Sequence, residues 1–318
     1  GVRLKMKLGV VMDPIETINF KKDSTLAMMI EAQGKGHEIF YITPDSLFIS
    51  SGNPYASSNK IEVRNDPSDW FTKEEETIIE LSQLDSILMR QDPPFNSEYI
   101  YNTYVLEMAS RQGVNIFNNP RSLRDCNEKV FATEFPQCCT KHLVTSRKDF
   151  LIDFVLENKD TVIKPLDGMG GASIFRVKAN DPNLNVILET ITGHFTEKVM
   201  VQEFIPEISE GDKRILVVNG RPMSASIARV PIEGELRGNL AAGASAVAKS
   251  LSDRDLWICE EVGPSLVEKG LLLVGLDVIG DYLTEINVTS PTCFKEYKEL
   301  CDIDVAEIFI ESVEEFSK

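Results

Sequence analysis

The sequence predicts an α/β unit in the N-terminal part and an α+β remainder, and three features carry that prediction. "KLGVVMDPI", "DSTLAMMIEAQGKG" and "HEIFYIT" read as strand, helix and strand between residues 7 and 43. From about residue 140 strands follow one another closely, as in "LVTS", "TVIKP", "SIFRV" and "KVMVQEFI". The Asn219-Gly220 pair inside "KRILVVNGRPMSASIARV" marks an antiparallel hairpin.

Each element has a local reason. The first apolar run stops at Asp13-Pro14, because proline cannot donate to a central ladder. Asp23 or Ser24 caps the helix that follows, and Gly34 or Gly36 ends it. Residues 50–69, rich in Ser, Asn, Asp and Pro, predict a loop or hairpin excursion. "LDSILMRQDPPF" is a strand that runs into a Pro-Pro stop. "SEYIYNTYVLEMASRQGVNIFN" is helix then strand, and "NNPRSLRDCNEKVFATEF" opens a further helix. "DFLIDFVLENK" and "NVILETITGHF" read as helices among the later strands. The expected units are residues 1–121, 122–200 and 201–318.

Bulk properties narrow the function. A chain of 318 residues allows two or three domains, and 42% hydrophobic with 26% charged residues is ordinary for a globular protein. The net charge of −17 argues against nucleic acid or anionic membrane as a partner. A nucleotide would need lysines, arginines and metal supplied locally. No apolar run approaches the ~20 residues of a membrane helix. No secretory segment is visible, so a cytoplasmic location is expected. Six cysteines without a C-x-x-C pair, and three histidines, argue against structural zinc and for free thiols. Neither a Ser/Cys–His nucleophile nor a repeat stands out.

Four stretches carry chemistry. In "TVIKPLDGMGGASIFRV", residues 161–177, Lys164 ends a strand and a glycine-rich loop follows. Such a loop either crowds N–H groups around a phosphate or is a hairpin turn. No Gly-Lys-Ser/Thr closes it and no helix follows, which excludes a Walker loop and a dinucleotide fingerprint. In "VGLDVIGDYLTEINVTSPT", Glu285 and Asn287 share a strand face. A three-residue loop at 280–282 sets Asp277 opposite Glu285, and a two-residue turn would send it to the other face. Such hard oxygen ligands suit Mg2+ or Mn2+, and a solvated hairpin face is the alternative. A two-residue turn at Asn219-Gly220 pairs Arg214 with Ala225 and puts Arg214 and Arg229 on one face. Their partners are structural carboxylates or an anionic substrate. "RVPIEGELRGNLAAGASAVAKS", residues 229–250, has no helix or strand pattern. It reads as a lid or a connector, with Arg237 and Asn239 able to reach an oxyanion.

These stretches, with "VMDPI", "DPPF", "NNPRSLRDCNEKVFAT", "GDKRILVVNG" and "RGNLAAG", resemble the prokaryotic-type glutathione synthetases of the ATP-grasp superfamily. The likeness runs from about Lys7 to the helix after residue 300. It implies an ATP-grasp fold behind an N-terminal, Rossmann-like parallel-sheet domain. It implies that Lys129 and Lys164 meet the phosphates of ATP and that Gly168, Met169, Gly170 and Gly171 cover them. Gln202, Glu203, Phe204 and Ile205 are then the adenine hinge, largely through backbone, and Asp212 takes the ribose. Asp277, Glu285 and Asn287 hold Mg2+ or Mn2+. Arg214, Arg229, Arg237 and Asn239 face the substrate carboxylate and the transferring phosphoryl group. Val288, Thr289, Ser290, Pro291 and Thr292 lie near glycine, and Asp13 and Asn19 are candidate substrate contacts. The implied reaction joins γ-glutamylcysteine to glycine through an acyl phosphate, in a homotetramer.

Other ATP-grasp carboxylate–amine ligases, such as D-alanine–D-alanine ligase, share the ATP site but not "DPPF" or "NVTSPT". Two departures stand out. Gln91 occupies a position where the family pattern has lysine, and "GASAVA" at 243–248 replaces a Gly-Gly-Arg segment.

Overall fold

A computed structural model describes residues 4–167, 173–236, 238 and 243–317. The first layer comprises β1 (Lys7–Val11), α1 (Ser24–Gly34), β2 (Glu38–Ile42), β3 (Leu47–Ser50), β4 (Asn53–Val63), β5 (Phe71–Lys73), β6 (Thr77–Glu80), β7 (Ser86–Met89), α2 (Ser97–Arg111) and β8 (Asn115–Phe117). β1 lies between β2 and β7, and β8 extends β7, all in parallel. Helices cover this centre, so its strands are near-continuous apolar runs, with β7 buried throughout. The expected excursion is β3 to β6, joined to β2 through antiparallel β4. α1 begins at the Asp23 cap, whose carboxylate accepts from Leu26 N at 2.7 Å, and ends at Gly34.

The helix predicted from "NNPRSLRDCNEKVFATEF" is broken. α3 (Pro120–Asp125) stops after six residues, and a short 3-10 turn follows at Phe131–Glu134. Asn127 causes the interruption: its Oδ1 accepts from Lys129 N and Val130 N, both at 3.0 Å, and competes with the helical ladder.

The second layer holds β9 (His142–Thr145), α4 (Lys148–Asn158), β10 (Asp160–Pro165), β11 (Phe175–Lys178), α5 (Leu184–Ile191) and β12 (Val199–Glu203). Its antiparallel sheet has the order β11-β10-β12-β9. Leu151, Val155, Ile163, Val177, Leu188, Val199 and Val201 form an apolar cluster confined to this layer.

The third layer contains β13 (Asp212–Val218), β14 (Arg221–Pro222), β15 (Ala225–Val230), β16 (Ser245–Ser250), α6 (Asp253–Glu268), β17 (Leu273–Ile279), β18 (Tyr282–Asn287), α7 (Phe294–Cys301) and α8 (Val305–Phe316). Its sheet runs β16-β15-β13-β17-β18. The stretch 229–250 is therefore not free of regular structure: it ends β15 and supplies the edge strand β16. The hairpin also differs in register. Val218 pairs with Arg221 as a two-residue turn requires, yet Arg214 pairs with Ile227 rather than Ala225. The two-residue offset preserves side-chain parity, so both arginines still share a face. The first and third layers share their apolar clusters: Val11 and Ile215 belong to one, Leu8 and Leu216 to the other.

Among the described residues no helix is long and apolar enough to cross a membrane. All six cysteines are free.

Candidate active site

The second and third layers face each other across a cavity of about 320 Å³. Alternation along β10 buries Thr161 and Ile163 and turns Val162 and Lys164 toward the cavity. β12 likewise buries Val201 and presents Gln202, and Phe204 and Ile205 continue the wall. The side chain of Glu203 turns instead toward Thr140, whose hydroxyl donates to it at 3.3 Å, and Glu203 is not part of the cavity lining.

The third layer supplies the charged floor. β17 and β18 turn through two residues, with Ile279 opposite Tyr282, not through the three expected at 280–282. A β-bulge then inserts Thr284 as an unpaired residue, and Asp277 comes to lie opposite Glu285 after all. The Thr284 hydroxyl donates to the Asp277 carbonyl at 3.1 Å, which fixes the bulge. Asn287 is on the same face, and its Nδ2 donates to Asp277 Oδ2 at 3.1 Å and to the Gly275 carbonyl at 3.0 Å.

Asp277 is the hub of a buried ion network. Arg214 Nε donates to its Oδ1 at 2.7 Å, and an Arg229 nitrogen lies 3.0 Å from the same oxygen. The other partner of Arg229 is Asp212, 3.0 Å away. Gly275 makes room for Arg214: a Cβ there would fall 2.9 Å from Arg214 Cδ. Gly238, from the stretch 229–250, lies so close to Asp212 that a Cβ would meet the Asp212 Cβ at 2.7 Å. Burial works against the Asp277 charge, but Arg214 and Arg229 outweigh it and hold the carboxyl well below the usual range. Burial, aided by Asp277 and Glu285, pushes Asp212 up despite Arg229.

The interrupted helix delivers Glu128 and Lys129 to the same cavity. Lys129 Nζ lies 2.9 Å from Glu128 and 3.4 Å from Glu285. Burial lowers its affinity for a proton, yet the two carboxylates raise it further, so Lys129 stays cationic. Burial pulls Lys164 down, and among the described residues no carboxylate or carbonyl holds its Nζ.

A second cavity, also about 320 Å³, opens at the carboxyl ends of parallel strands β1 and β7. Ligands of open parallel sheets bind at that end. Asp13 and Asn19 line this cavity rather than the first, and Ser290 and Thr292 line both. Arg90 and Asp92 join them at the end of β7. Arg90 is buried: its Nε donates to Thr25 Oγ1 at 3.0 Å and its NH2 to the Pro291 carbonyl at 2.8 Å. Val288 is held on the other side, where Asn118 Nδ2 donates to its carbonyl at 2.7 Å. Gln91, the departure from the family pattern, accepts from Asn102 Nδ2 of α2 at 2.9 Å.

The arrangement brings together Lys129, Lys164, Gln202, Phe204, Ile205, Asp212, Arg214, Arg229, Asp277, Glu285, Asn287 and residues 289–292. Gly168, Met169, Gly170 and Gly171, with Arg237 and Asn239, lie outside the described residues. Sequence reasoning missed Glu128, Arg90, Asp92 and Thr284. A mid-helix asparagine before Glu128, and charges at a parallel-strand carboxyl end for Arg90 and Asp92, were the available signals.

The donor set fits a nucleotide with a hard cation. Asp212 Oδ1 is buried without a hydrogen-bond partner and can accept from a hydroxyl. The Ile205 N–H has no acceptor among the described residues and can meet a base nitrogen. Lysines and arginines face carboxylates and an amide across the space between. No group of three or more His, Cys, Asp or Glu side chains among the described residues could hold a metal ion. Asp277, Glu285 and Asn287 line one face of the cavity, and two carboxylates with an amide are the oxygen donors that suit Mg2+ when phosphate and water complete its shell.

A β-sheet pair clamping a cavity that carries such a donor set defines the ATP-grasp class of ATP-dependent ligases. Solved structures share the fold. D-cycloserine synthetase DcsG aligns with a TM-score of 0.69 at 12% identity, covering 98% of this chain and all of its own. The ATP-grasp ligase PsnB, complexed with a minimal precursor, Mg and ADP, aligns with a TM-score of 0.64 at 14% identity and 98% coverage of both chains.

The chain belongs to the prokaryotic glutathione synthetase family. The family's N-terminal domain matches residues 6–124 and its ATP-grasp domain residues 128–302. The glutathione synthetase of Pseudomonas aeruginosa is 52% identical over 310 residues, covering 98% of each chain. That of Vibrio parahaemolyticus is 53% identical over 309 residues, covering 97% of this chain and 98% of its own. That of Coxiella burnetii is 50% identical over 311 residues, covering 98% of this chain and 97% of its own. The chain is thus an ATP-dependent ligase forming a peptide bond, and its family uses ATP with a divalent metal.

Proposed function

We propose that this enzyme joins γ-glutamylcysteine to glycine, with ATP converted to ADP and phosphate. Identity above half along essentially the whole chain carries the reading. Lys129 and Lys164 bind the phosphates, with residues 168–171 over them. Asp212 Oδ1 accepts from the ribose, and residues 202–205 hold the base through backbone. Asp277, Glu285 and Asn287 hold Mg2+, whose charge offsets that of the phosphates. Arg214 and Arg229, with Arg237 and Asn239 from the lid stretch, orient the substrate carboxylate toward the γ-phosphoryl group.

A carboxylate acylates poorly. Phosphorylation turns it into an acyl phosphate, which the glycine amine attacks with release of phosphate. Positioning and charge neutralisation supply most of such a transfer. No covalent nucleophile is needed, and burial of the cysteine thiols suits that reading. Closure of the lid stretch excludes water that would hydrolyse the intermediate. Ser290 and Thr292 line both cavities, which supports a role for residues 288–292 in holding the amine beside the end of an acyl substrate that reaches Asp13 and Asn19. We further propose three units with the expected bounds 1–121, 122–200 and 201–318, save that β12 (Val199–Glu203) belongs whole to the second, together with a homotetramer and a cytoplasmic location.

The test is phosphate release from Mg-ATP and γ-glutamylcysteine, with and without glycine. Release that needs both, with glutathione in equal amount, is expected. Release with D-alanine or glutamate instead would keep the mechanism and overturn the substrates.

A further inference from the structure

Arg176 lies on the cavity-facing side of the second-layer sheet. It pairs with Val162, which in turn pairs with the cavity residue Gln202, so the three form one row across β11, β10 and β12. Its guanidinium lies 3.7 Å from the centre of the Phe204 ring. Both ends of this contact are tied to Asp160. The carboxylate of Asp160 accepts two bonds from Arg176, at 2.9 and 2.7 Å. Its carbonyl accepts from the Phe204 N–H at 3.0 Å. A closed circuit results: one residue fixes the Phe204 backbone, and the arginine it holds fixes the Phe204 ring.

Such a circuit exceeds what the sheet needs. Arg176 and Asp160 are about one-third exposed, and an exposed pair of this kind adds little to stability. A flat guanidinium held in a two-point fork, by contrast, leaves an aromatic ring one preferred orientation. Phe204 is a residue of the cavity wall.

We propose that Arg176 is a positioning residue for the nucleotide base: with Asp160 it locks Phe204, the wall against which the base packs. The proposal rests on the reading above that residues 202–205 hold the adenine. It adds a selectivity element outside the cavity lining, acting on the base and not on the phosphates.

The experiment compares Arg176→Ala, Arg176→Lys, Asp160→Asn and Phe204→Ala in the full-length enzyme. For each, it measures KM for ATP, kcat, the ADP dissociation constant and inhibition by inorganic tripolyphosphate, which has no base. Arg176→Ala is expected to raise KM for ATP and weaken ADP about five-fold, the scale of a stacked cation. Its kcat at saturating ATP and its tripolyphosphate inhibition stay within two-fold of the parent. Arg176→Lys, which keeps charge but loses the fork, recovers less than half of the loss. Arg176→Ala combined with Phe204→Ala costs no more than Phe204→Ala alone. Equal weakening of ADP and tripolyphosphate would mean general damage and overturn the proposal. So would ADP binding unchanged in Arg176→Ala while Phe204→Ala weakens it, an outcome that leaves the adenine reading standing. No effect of Phe204→Ala on ADP would also overturn the proposal, because the ring would then not be the wall of the base, and it would leave the backbone contacts of residues 202–205 untouched.

Discussion

Asp277 stands directly opposite Glu285 although the turn between their strands holds only two residues. Thr284 makes this possible: as the extra residue of a bulge, it shifts the pairing by one and returns both carboxylates to one face. The two acids and Asn287 then line one cavity with Lys129 and two arginines.

Among the described residues no arginine pairs with Glu285, and Lys129 is its ion partner. Glu285→Gln is expected to cut kcat by about a hundred-fold or more, as loss of a charge that acts on the transferring phosphoryl group does. Mg2+-dependent phosphate release measures it, and an unchanged melting temperature shows that the fold is intact. Turnover equal to the parent at every Mg2+ concentration would refute the metal assignment. Chelation of divalent ions should stop the parent enzyme in the same assay.

Arg229 joins two carboxylates, the buried Asp277 and the partly buried Asp212. Arg229→Ala leaves them facing each other without that cation. A stability loss of about 3–5 kcal/mol in urea denaturation is expected. A loss below about 1 kcal/mol would show that the network is solvated in the free protein.

Burial and the neighbouring Asp92 push the Asp13 carboxyl up to about 6. In an unfolded chain an aspartate titrates near 3.9. The raised value means that folding favours the protonated form. Its contribution is present below about pH 4 and is lost as pH rises through 6. Asp13→Asn should therefore stabilise the ligand-free protein by about 1 kcal/mol at pH 7.5, after discounting for the solvent around a half-buried group. The gain should shrink to about half at pH 5. Urea melts at the two pH values decide it, and a gain that grows on acidification would contradict the assignment.

Burial pushes the thiols of Cys126, Cys139 and Cys259 up to about 11, 12 and 12. Cys293, which follows residues 288–292, is 3% exposed and is likewise raised by burial. At pH 8 these thiols should react with an alkylating reagent about a hundred-fold or more slower than a free thiol. Cys293→Ser should keep kcat within about two-fold. A folded but inactive Cys293→Ser enzyme would show that the thiol takes part in the reaction.

Side-chain parity made much of the site legible in the sequence. It put Glu285 with Asn287 and Arg214 with Arg229, because alternation survives even the two-residue offset in the β13–β15 hairpin. Parity could not locate the bulge, since nothing local marks Thr284 as the unpaired residue. It could not foresee β16 either: "SAVAKS" becomes a strand because β15 offers it an edge. Arg90 escaped notice because its importance is tertiary. Only the fold brings it to Thr25 and Pro291, residues far from it in the chain. The long runs "GDKRILVVNG" and "GLDVIGDYLTEINVTSPT" carried the family likeness, and with it the assignment of lysines that parity alone leaves undecided.

The apolar cluster of the second layer, from Leu151 to Val201, is shared with neither of the other layers. That isolation makes it a separate cooperative unit, able to open by itself at less than the free energy of global unfolding. Amide hydrogens of β10 and β12 should then exchange sooner than those of β1 or β17 in the ligand-free protein. A nucleotide gripped by Lys164 on one side and Asp212 on the other would tie the two units together, and the difference in exchange should vanish.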